Sequence, residues 1–215
     1  MVEGFRFADR RDAGRMLADH IEARGIGGPE TVVLGLPRGG VPVAAEVAKR
    51  IGSPLDVIVV RKIGVPWHRE LALGALGEGG VRILDHDLVQ RVGVTPQQLA
   101  EVEQRESGTL EHRVRQLRTR RDRVSLTGRT ALIIDDGIAT GSTVRAACKV
   151  ARELGAARVV VAAPVAPRDT AADLGDVADE VICLMSPRVF HGVGAFYDDF
   201  TQVDDRKVLE LLGED

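Results

Sequence analysis

The chain has 215 residues, of which 44% are hydrophobic and 28% are charged, and this length and composition fit one globular domain, with or without an insertion, rather than a disordered chain. The formal net charge of −3 gives no global electrostatic reason to bind nucleic acid or an anionic membrane. No apolar run reaches the roughly 18 residues of a membrane span, and the first residues are too charged for a secretory signal. The two cysteines indicate a reducing compartment. The expected location is therefore the cytoplasm.

The first part of the chain alternates between helical and strand patterns. We predict helices over residues 11–24 and 43–50 and buried strands over residues 31–36 and 55–60. The helical segments repeat apolar residues every three or four positions, and the strands are short, continuous apolar runs. Residues 63–80 contain five glycines and one proline with little periodicity, which favours a long mobile loop with weak strand character.

The middle of the chain differs in composition from its surroundings. Residues 85–125 are strongly charged and helical in pattern, with a helix-start signature at Thr95, Pro96 and Gln98, and we interpret them as a helical insertion. After it we predict strands over residues 130–134, 158–163 and 180–184 and helices over residues 142–154 and 168–174. Continuous apolar strands alternating with helices indicate an α/β fold with a doubly wound parallel sheet, and residues 1–215 are expected to form a single domain.

The strongest candidate for a functional site is the stretch from Ala131 to Thr143. An apolar strand ends in two carboxylates, Asp135 and Asp136, and a loop of small and hydroxylated residues leads directly into a helix. The N–H groups and positive dipole of a helix start suit a phosphate. Carboxylates at the carboxyl end of a strand suit the hydroxyls of a sugar, with Mg²⁺ nearby. The alternative, an Asp-Gly turn with a helix cap, explains the run of hydroxylated residues poorly.

This stretch resembles the phosphoribosyl pyrophosphate signature of the type I phosphoribosyltransferases. Residues 36–40, Leu-Pro-Arg-Gly-Gly, are similar to the pyrophosphate loop of that family, and Arg61 and Lys62 are similar to the basic pair that opens its catalytic loop. The resemblance covers roughly residues 30–165, at three strand ends. The whole chain most resembles a little-characterised bacterial group of phosphoribosyltransferases.

The resemblance implies a role for each matching residue. Asp135 and Asp136 would bind the ribose hydroxyls and Mg²⁺, Lys62 would neutralise the departing pyrophosphate, and these three are the expected catalytic residues. The expected substrate-binding residues are Arg38, Gly39, Gly40 and Arg61 for the pyrophosphate, and Gly137, Ile138, Ala139, Thr140, Gly141, Ser142 and Thr143 for the sugar phosphate. Ala139 stands where some members carry an acidic residue, although adenine-type members also have alanine there. A cis peptide bond between Pro37 and Arg38 is expected from the same resemblance.

The implied function is transfer of the 5-phosphoribosyl group from phosphoribosyl pyrophosphate to a nitrogenous base, with a purine preferred, as in nucleotide salvage. Mg²⁺ is the implied cofactor, and a homodimer is left open. In the family, the N-terminal segment and the region after the last strand often form a hood over the base. Here the hood is expected over residues 186–200, with Phe190 as the stacking residue. A hydrophobic lid packed on the sheet is an equally good interpretation of that segment.

Two alternative functions stay open. A non-catalytic sensor of phosphoribosyl pyrophosphate would use residues 113–123, with six arginines and one aspartate, as its partner contact. The same stretch could meet RNA or be a solvated helix end. A phosphatase-like hydrolase built on Asp135 and Asp136 would lack the D-x-D spacing typical of that chemistry. His68 is interpreted either as a pyrophosphate donor or as a solvated loop residue.

Overall fold

The computed structural model describes residues 5–118 and 122–213. Its helices are α1 (Arg10–Glu22), α2 (Gly40–Ile51), α3 (His86–Val92), α4 (Pro96–Leu117), α5 (Ser142–Glu153), α6 (Arg168–Asp173) and α7 (Asp205–Leu212). Its strands are β1 (Thr31–Gly35), β2 (Leu55–Val57), β3 (Val60–Val65), β4 (His68–Gly77), β5 (Val81–Leu84), β6 (Thr130–Ile134), β7 (Arg158–Val165) and β8 (Glu180–Met185). Within the described ranges, no helix combines the length and the apolar character that crossing a bilayer requires.

Five strands form a parallel central sheet in the order β2-β1-β6-β7-β8. The chain first adds β2 on one side of β1 and then adds β6, β7 and β8 on the other, so the strand order reverses between β1 and β6. This arrangement confirms the predicted doubly wound α/β fold, and the crevice at such a reversal is where sheets of this kind bind ligands. The register pairs Gly35 with Ile134, so β1 and β6 end side by side.

The central sheet is covered on both faces. Val33 of β1 belongs to a buried cluster with α1 and α2, which includes Leu17 and Val47. Its neighbour Leu34 points to the opposite face and shares a cluster with α5, which includes Ala147. Because both faces are buried, the strands read as continuous apolar runs. The loops at the strand ends are therefore attached to a rigid frame.

Residues 63–80 do not form the long loop that was predicted, and their strand character is strong rather than weak. Strands β3, β4 and β5 form a second, antiparallel sheet, and Ile63 and Leu73 are fully buried in it. The glycines suggested a loop, but some of them are required where the strands pack closely. A Cβ built on Gly74 would lie 2.0 Å from the carbonyl oxygen of Ile83. The predicted strand over residues 55–60 is also divided, because the chain leaves the central sheet after β2 and enters the second sheet with β3.

The charged stretch over residues 85–125 contains α3 and α4. α4 begins with the predicted capping box, formed by Thr95 and Gln98. Its apolar side packs in a buried cluster with β3, β4 and α7, in which Leu110 and Leu117 take part. The C-terminal helix α7 was not predicted, and it completes this cluster.

A buried ion-pair cluster connects the end of α4 to β2 and to the end of β4. Arg118 donates two hydrogen bonds of 2.7 Å to the carboxylate of Glu78 and one of 2.9 Å to Asp56. Burial opposes the charged form of Arg118, but the two carboxylates raise its pKa. Arg118, from the arginine-rich stretch, therefore has a structural role inside the fold. Arg120 and Arg121 lie outside the described residues.

The segment before α1 and the segment after β8 meet beside the central sheet. Phe7 forms a parallel bridge with Tyr197, and their ring centroids lie 5.4 Å apart. Both side chains are buried. The N-terminal segment and the residues after β8 thus pack against each other, and we call this unit the hood.

Candidate functional site

Two loops leave the central sheet side by side at the strand-order reversal. Residues 36–39 follow β1 and residues 135–141 follow β6. The N–H of Leu36 donates a 2.8 Å hydrogen bond to the carbonyl oxygen of Ile134, which joins the starts of the two loops. The first loop leads into α2 and the second into α5, and the N-terminal end of a helix favours negative charge. The crevice is therefore suited to an anionic ligand.

The first loop approaches the second so closely that only glycine fits at two positions. A Cβ on Gly39 would lie 2.1 Å from Oδ2 of Asp136, and one on Gly40 would lie 2.4 Å from a carbonyl oxygen of β6. The Pro37–Arg38 peptide bond is cis, as the resemblance led us to expect. No described residue accepts a hydrogen bond from the N–H groups of Arg38 and Gly39, so both are available to a ligand.

The two adjacent carboxylates at the end of β6 have different partners. Oδ1 of Asp135 accepts a 2.9 Å hydrogen bond from the N–H of Asp136. Oδ2 of Asp136 accepts a 2.7 Å hydrogen bond from Nε of Arg10, whose guanidinium lies 3.9 Å from the ring centroid of Phe200. The Tyr197 hydroxyl donates a 2.5 Å hydrogen bond to the carbonyl oxygen of Asp136. The first turn of α1 and the hood therefore position Asp136.

The surroundings of these carboxylates disfavour their ionised forms. Burial raises the pKa of Asp135, and the neighbouring charge of Asp136 raises it further. Burial also raises the pKa of Asp136, against the hydrogen bond and the charge of Arg10. The pKa of Tyr197 is raised because the phenol is buried beside these carboxylates, so Tyr197 remains a proton donor. A bound cation or hydroxyl donors would stabilise the ionised pair.

The loop after the carboxylates presents a row of backbone donors. Across the described part of the chain, no group accepts a hydrogen bond from the N–H of Ala139, Thr140, Gly141, Ser142 or Thr143. Gly141 has a φ of +73°, in the left-handed region that favours glycine, and it caps α5. The hydroxyl oxygens of Thr140 and Ser142 lie 3.2 Å apart. Successive free N–H groups at a helix start are typical of a phosphate site.

Gly137 and Ile138 lie beneath this loop rather than on its exposed side. Ile138 is buried, and its N–H donates a 2.9 Å hydrogen bond to the carbonyl oxygen of Val165. Gly137 packs against the hood, because a Cβ built on it would lie 2.4 Å from Cγ1 of Val193. The structure therefore places both residues where they support the loop.

The basic residues that the sequence analysis identified reach the crevice from different elements. Nζ of Lys62, on β3, donates a 2.9 Å hydrogen bond to Oγ of Ser142. Arg38 and Arg61 line one cavity of about 320 Å³ together with Thr143. The second sheet therefore brings Arg61 and Lys62 to the two loops that follow β1 and β6.

Phe190 lies in the hood and is half-buried. It stacks on Phe196, with the ring centroids 5.6 Å apart. Ala139, at the exposed side of the loop, accepts a 3.0 Å hydrogen bond at its carbonyl oxygen from Oγ1 of Thr170. Its methyl side chain offers no acidic group to a ligand.

The donor set at the crevice fits a magnesium ion that arrives with a phosphate ligand. Among the residues that the structure describes, no cluster of three or more His, Cys, Asp or Glu side chains could hold a metal ion by itself. Mg²⁺ usually binds through one or two carboxylates together with substrate phosphates. Asp135 and Asp136, beside the free N–H groups of the loop, provide those carboxylates.

Several contacts of the site were not identified from the sequence. Arg10 is one of many charged residues on a surface helix, so no local pattern marks it. Tyr197 was only weakly indicated. Aromatic residues make up just 3% of the chain, and Tyr197 is one of several that occur together in the hood. His68 is exposed at the turn between β3 and β4, where its Nδ1 accepts a 3.2 Å hydrogen bond from the N–H of Leu71.

Comparison with known proteins agrees with this geometry. The sequence model of the phosphoribosyl transferase domain family matches residues 8–78 and 64–201. A protein of known structure, TT1426 from Thermus thermophilus, is 42% identical to this chain with a TM-score of 0.89, and the match covers 97% of this chain and 98% of that one.

Two curated relatives come from Mycobacterium tuberculosis. They are named "Putative phosphoribosyl transferase MT0597" (strain CDC 1551 / Oshkosh) and "Putative phosphoribosyl transferase Rv0571c" (strain ATCC 25618 / H37Rv). Each is 51% identical to this chain over 206 residues, which make up 96% of this chain and 46% of the relative. The chain therefore spans about half the length of the curated relatives it matches.

Proposed function

This chain belongs to the phosphoribosyl transferase domain family, and we propose that it transfers the 5-phosphoribosyl group of phosphoribosyl pyrophosphate to a nitrogenous base, with release of pyrophosphate. The observation that supports this most strongly is the crevice between β1 and β6. Two adjacent carboxylates lie there between two loops whose backbone N–H groups have no acceptor among the described residues. The carboxylates of such a crevice can bind the hydroxyls of a sugar, and the N–H groups of the two loops can bind phosphate groups on either side of that sugar.

The proposed reaction is a substitution at the anomeric carbon. The bond between that carbon and the pyrophosphate oxygen breaks, and its electron pair leaves with the pyrophosphate. A ring nitrogen of the base forms the new bond to carbon with its lone pair, and the base loses a proton. Positive charge develops on the sugar and negative charge on the leaving group, so positioning and electrostatic stabilisation are the main contributions that the protein can make.

Each part of the site has a role in this proposal. Asp135 and Asp136 hold the ribose hydroxyls and stabilise the positive charge on the sugar. Residues 139–143 hold the 5-phosphate, with Gly137 and Ile138 supporting them from below. The N–H groups of residues 38–39, the side chains of Arg38 and Arg61, and the ammonium of Lys62 meet the pyrophosphate. Mg²⁺, bound by the two aspartates and the donor, would neutralise charge on the leaving group.

The hood is proposed as the site of the acceptor base, with a purine preferred. Phe190, stacked on Phe196, offers a flat aromatic surface of the kind on which bases stack. Ala139 supplies no general base, so the proposal relies on positioning of the base rather than on proton abstraction by this loop. A role in nucleotide salvage in the cytoplasm is part of the proposal, supported by the base-accepting reaction and by Cys148 and Cys183, which are both free thiols.

Release of pyrophosphate tests the proposal directly. The protein is incubated with Mg²⁺, phosphoribosyl pyrophosphate and a panel of purine and pyrimidine bases. We expect release that depends on the base and is fastest with a purine. Tight binding of the donor without release for any base would favour a sensor of phosphoribosyl pyrophosphate instead. Absence of donor binding would contradict both functions.

A further inference from the structure

A basic cavity beside the proposed site is formed in part by α4. Its polar lining residues are Arg38 of the first loop, Arg61 of β3, Thr143 of α5, and Thr109, His112 and Arg113 of α4, and the rest of its lining is apolar. The volume of about 320 Å³ lies near the lower end of the range for small-molecule sites, about 300–1,000 Å³. Thr143 also belongs to the row of free N–H groups at residues 139–143, so the cavity adjoins the loop between β6 and α5.

Two of the guanidinium groups at this cavity retain their capacity to bind a ligand. Neither Arg38 nor Arg61 donates a side-chain hydrogen bond to any other residue in the described ranges. Their ion pairs are longer than hydrogen bonds: Asp205 lies 4.0 Å from Arg38, and Glu106 lies 3.7 Å from Arg61. A guanidinium presents five N–H donors in a planar fork that matches phosphate oxygens, so these two side chains are suited to a phosphate ligand.

Asp205, the first residue of α7, lies between two of the arginines. Its Oδ1 accepts a 2.5 Å hydrogen bond from Nη1 of Arg113 and lies 4.0 Å from Nη1 of Arg38. One carboxylate oxygen therefore bridges a guanidinium of α4 and a guanidinium of the first loop. An oxygen of a phosphate group has the charge and the hydrogen-bonding capacity to make the same two contacts.

We propose that α4 completes the diphosphate subsite of this protein. Arg113 and His112 bind the pyrophosphate end of the donor together with Arg38 and Arg61, and Asp205 competes with the ligand for the arginines. The inference rests on the proposed function and adds α4 to the same site. Charge-assisted hydrogen bonds from arginine to phosphate are among the strongest in proteins, so the contribution of α4 is measurable.

Calorimetric titration with inorganic pyrophosphate in the presence of Mg²⁺ tests the subsite. Parallel titration with ribose 5-phosphate, which lacks the diphosphate, tests the rest of the site. We expect Arg113→Gln to weaken pyrophosphate binding by about tenfold or more, and His112→Gln to weaken it to a smaller extent, with ribose 5-phosphate affinity unchanged. Arg115→Gln is the matched control on the same helix, with a side chain that is 69% exposed, and it should change neither affinity.

Asp205→Asn separates this role from damage to the fold. Removal of the competing charge should tighten pyrophosphate binding, which a misfolded variant cannot do. If Asp205→Asn does not tighten binding, or if Arg113→Gln and His112→Gln bind pyrophosphate as the unchanged protein does, the role of α4 is overturned. The proposed function would survive that result if ribose 5-phosphate still binds. An unchanged protein that binds neither ligand would overturn the proposed function and this inference with it.

Discussion

At the scale of single residues, the contact between Gly39 and Asp136 sets the geometry of the crevice. A Cβ at Gly39 would lie 2.1 Å from Oδ2 of Asp136, and Arg10 donates a hydrogen bond to the same oxygen. We expect Gly39→Ala to weaken donor binding by about tenfold or more, because the carboxylate must move. The fold should tolerate the change, since the φ of −61° at Gly39 is ordinary for alanine. Calorimetry and thermal unfolding measure the two effects.

The control for this substitution is Gly108→Ala in α4. A Cβ at Gly108 would meet no atom within 4 Å, and alanine in a helix interior is more stable than glycine by about 1 kcal/mol. We expect Gly108→Ala to stabilise the protein slightly and to leave binding unchanged. If Gly39→Ala binds the donor as tightly as Gly108→Ala does, the close approach of the two loops has no functional role.

Lys62 connects the second sheet to the start of α5 through its 2.9 Å hydrogen bond to Ser142. Its proposed role is to stabilise charge that grows on the departing pyrophosphate. We expect Lys62→Gln to lower the rate of pyrophosphate release by about a hundredfold, with a smaller loss of donor affinity. Lys49→Gln, an exposed position at the end of α2, is the control. Equal rates for the two variants would remove Lys62 from the catalytic residues.

The sequence revealed those parts of the site that are consecutive in the chain. Asp135, Asp136 and the loop after them form one uninterrupted motif, so their chemistry could be interpreted without a structure. Arg10 and Tyr197 could not be identified in this way, because they contact Asp136 from 126 and 61 residues away. Only the packing of the hood and α1 against the sheet brings them to the site.

At the scale of secondary-structure elements, the central strands were predictable and the second sheet was not. Strands β1, β6 and β7 are buried on both faces, so their side chains form continuous apolar runs that stand out in the sequence. The strands β3 and β4 pass close to their neighbours and use glycine where a side chain would clash, as at Gly74. Glycine suggests a loop when it is considered alone, and this is why the prediction failed there.

The end of α4 is held by the buried cluster of Arg118, Glu78 and Asp56. Removal of the arginine would leave two carboxylates that are 4% and 1% exposed without the cation that pairs with both of them. We expect Arg118→Met to reduce the free energy of unfolding by about 3–5 kcal/mol, as measured by urea denaturation. For Arg115→Met, whose side chain is 69% exposed, the expected change is within about 0.5 kcal/mol. Similar losses for the two variants would show that the cluster does not stabilise the fold.

At the scale of the whole molecule, three separate parts of the chain surround one crevice. The central sheet supplies the two loops, the second sheet supplies Lys62, and the hood and α1 position Asp136. We propose that residues 1–215 act as a single domain, with α3 and α4 as its insertion, because α4 packs on the second sheet and on α7 in one buried cluster. This arrangement places α4, which the sequence pattern assigned to a helical insertion, next to the proposed pyrophosphate subsite.

The most direct test of the proposed site is calorimetric titration of phosphoribosyl pyrophosphate with Mg²⁺ into three proteins. They are the unchanged chain, the double variant Asp135→Asn/Asp136→Asn, and the control Asp87→Asn, which changes an exposed aspartate in the first turn of α3. We expect the double variant to bind more than tenfold more weakly, a loss of about 1.4 kcal/mol or more, because its charge-assisted bonds to the ribose hydroxyls are removed. The control should bind as the unchanged chain does. Equal affinity for all three proteins would contradict the assignment of the crevice between β1 and β6 as the donor site.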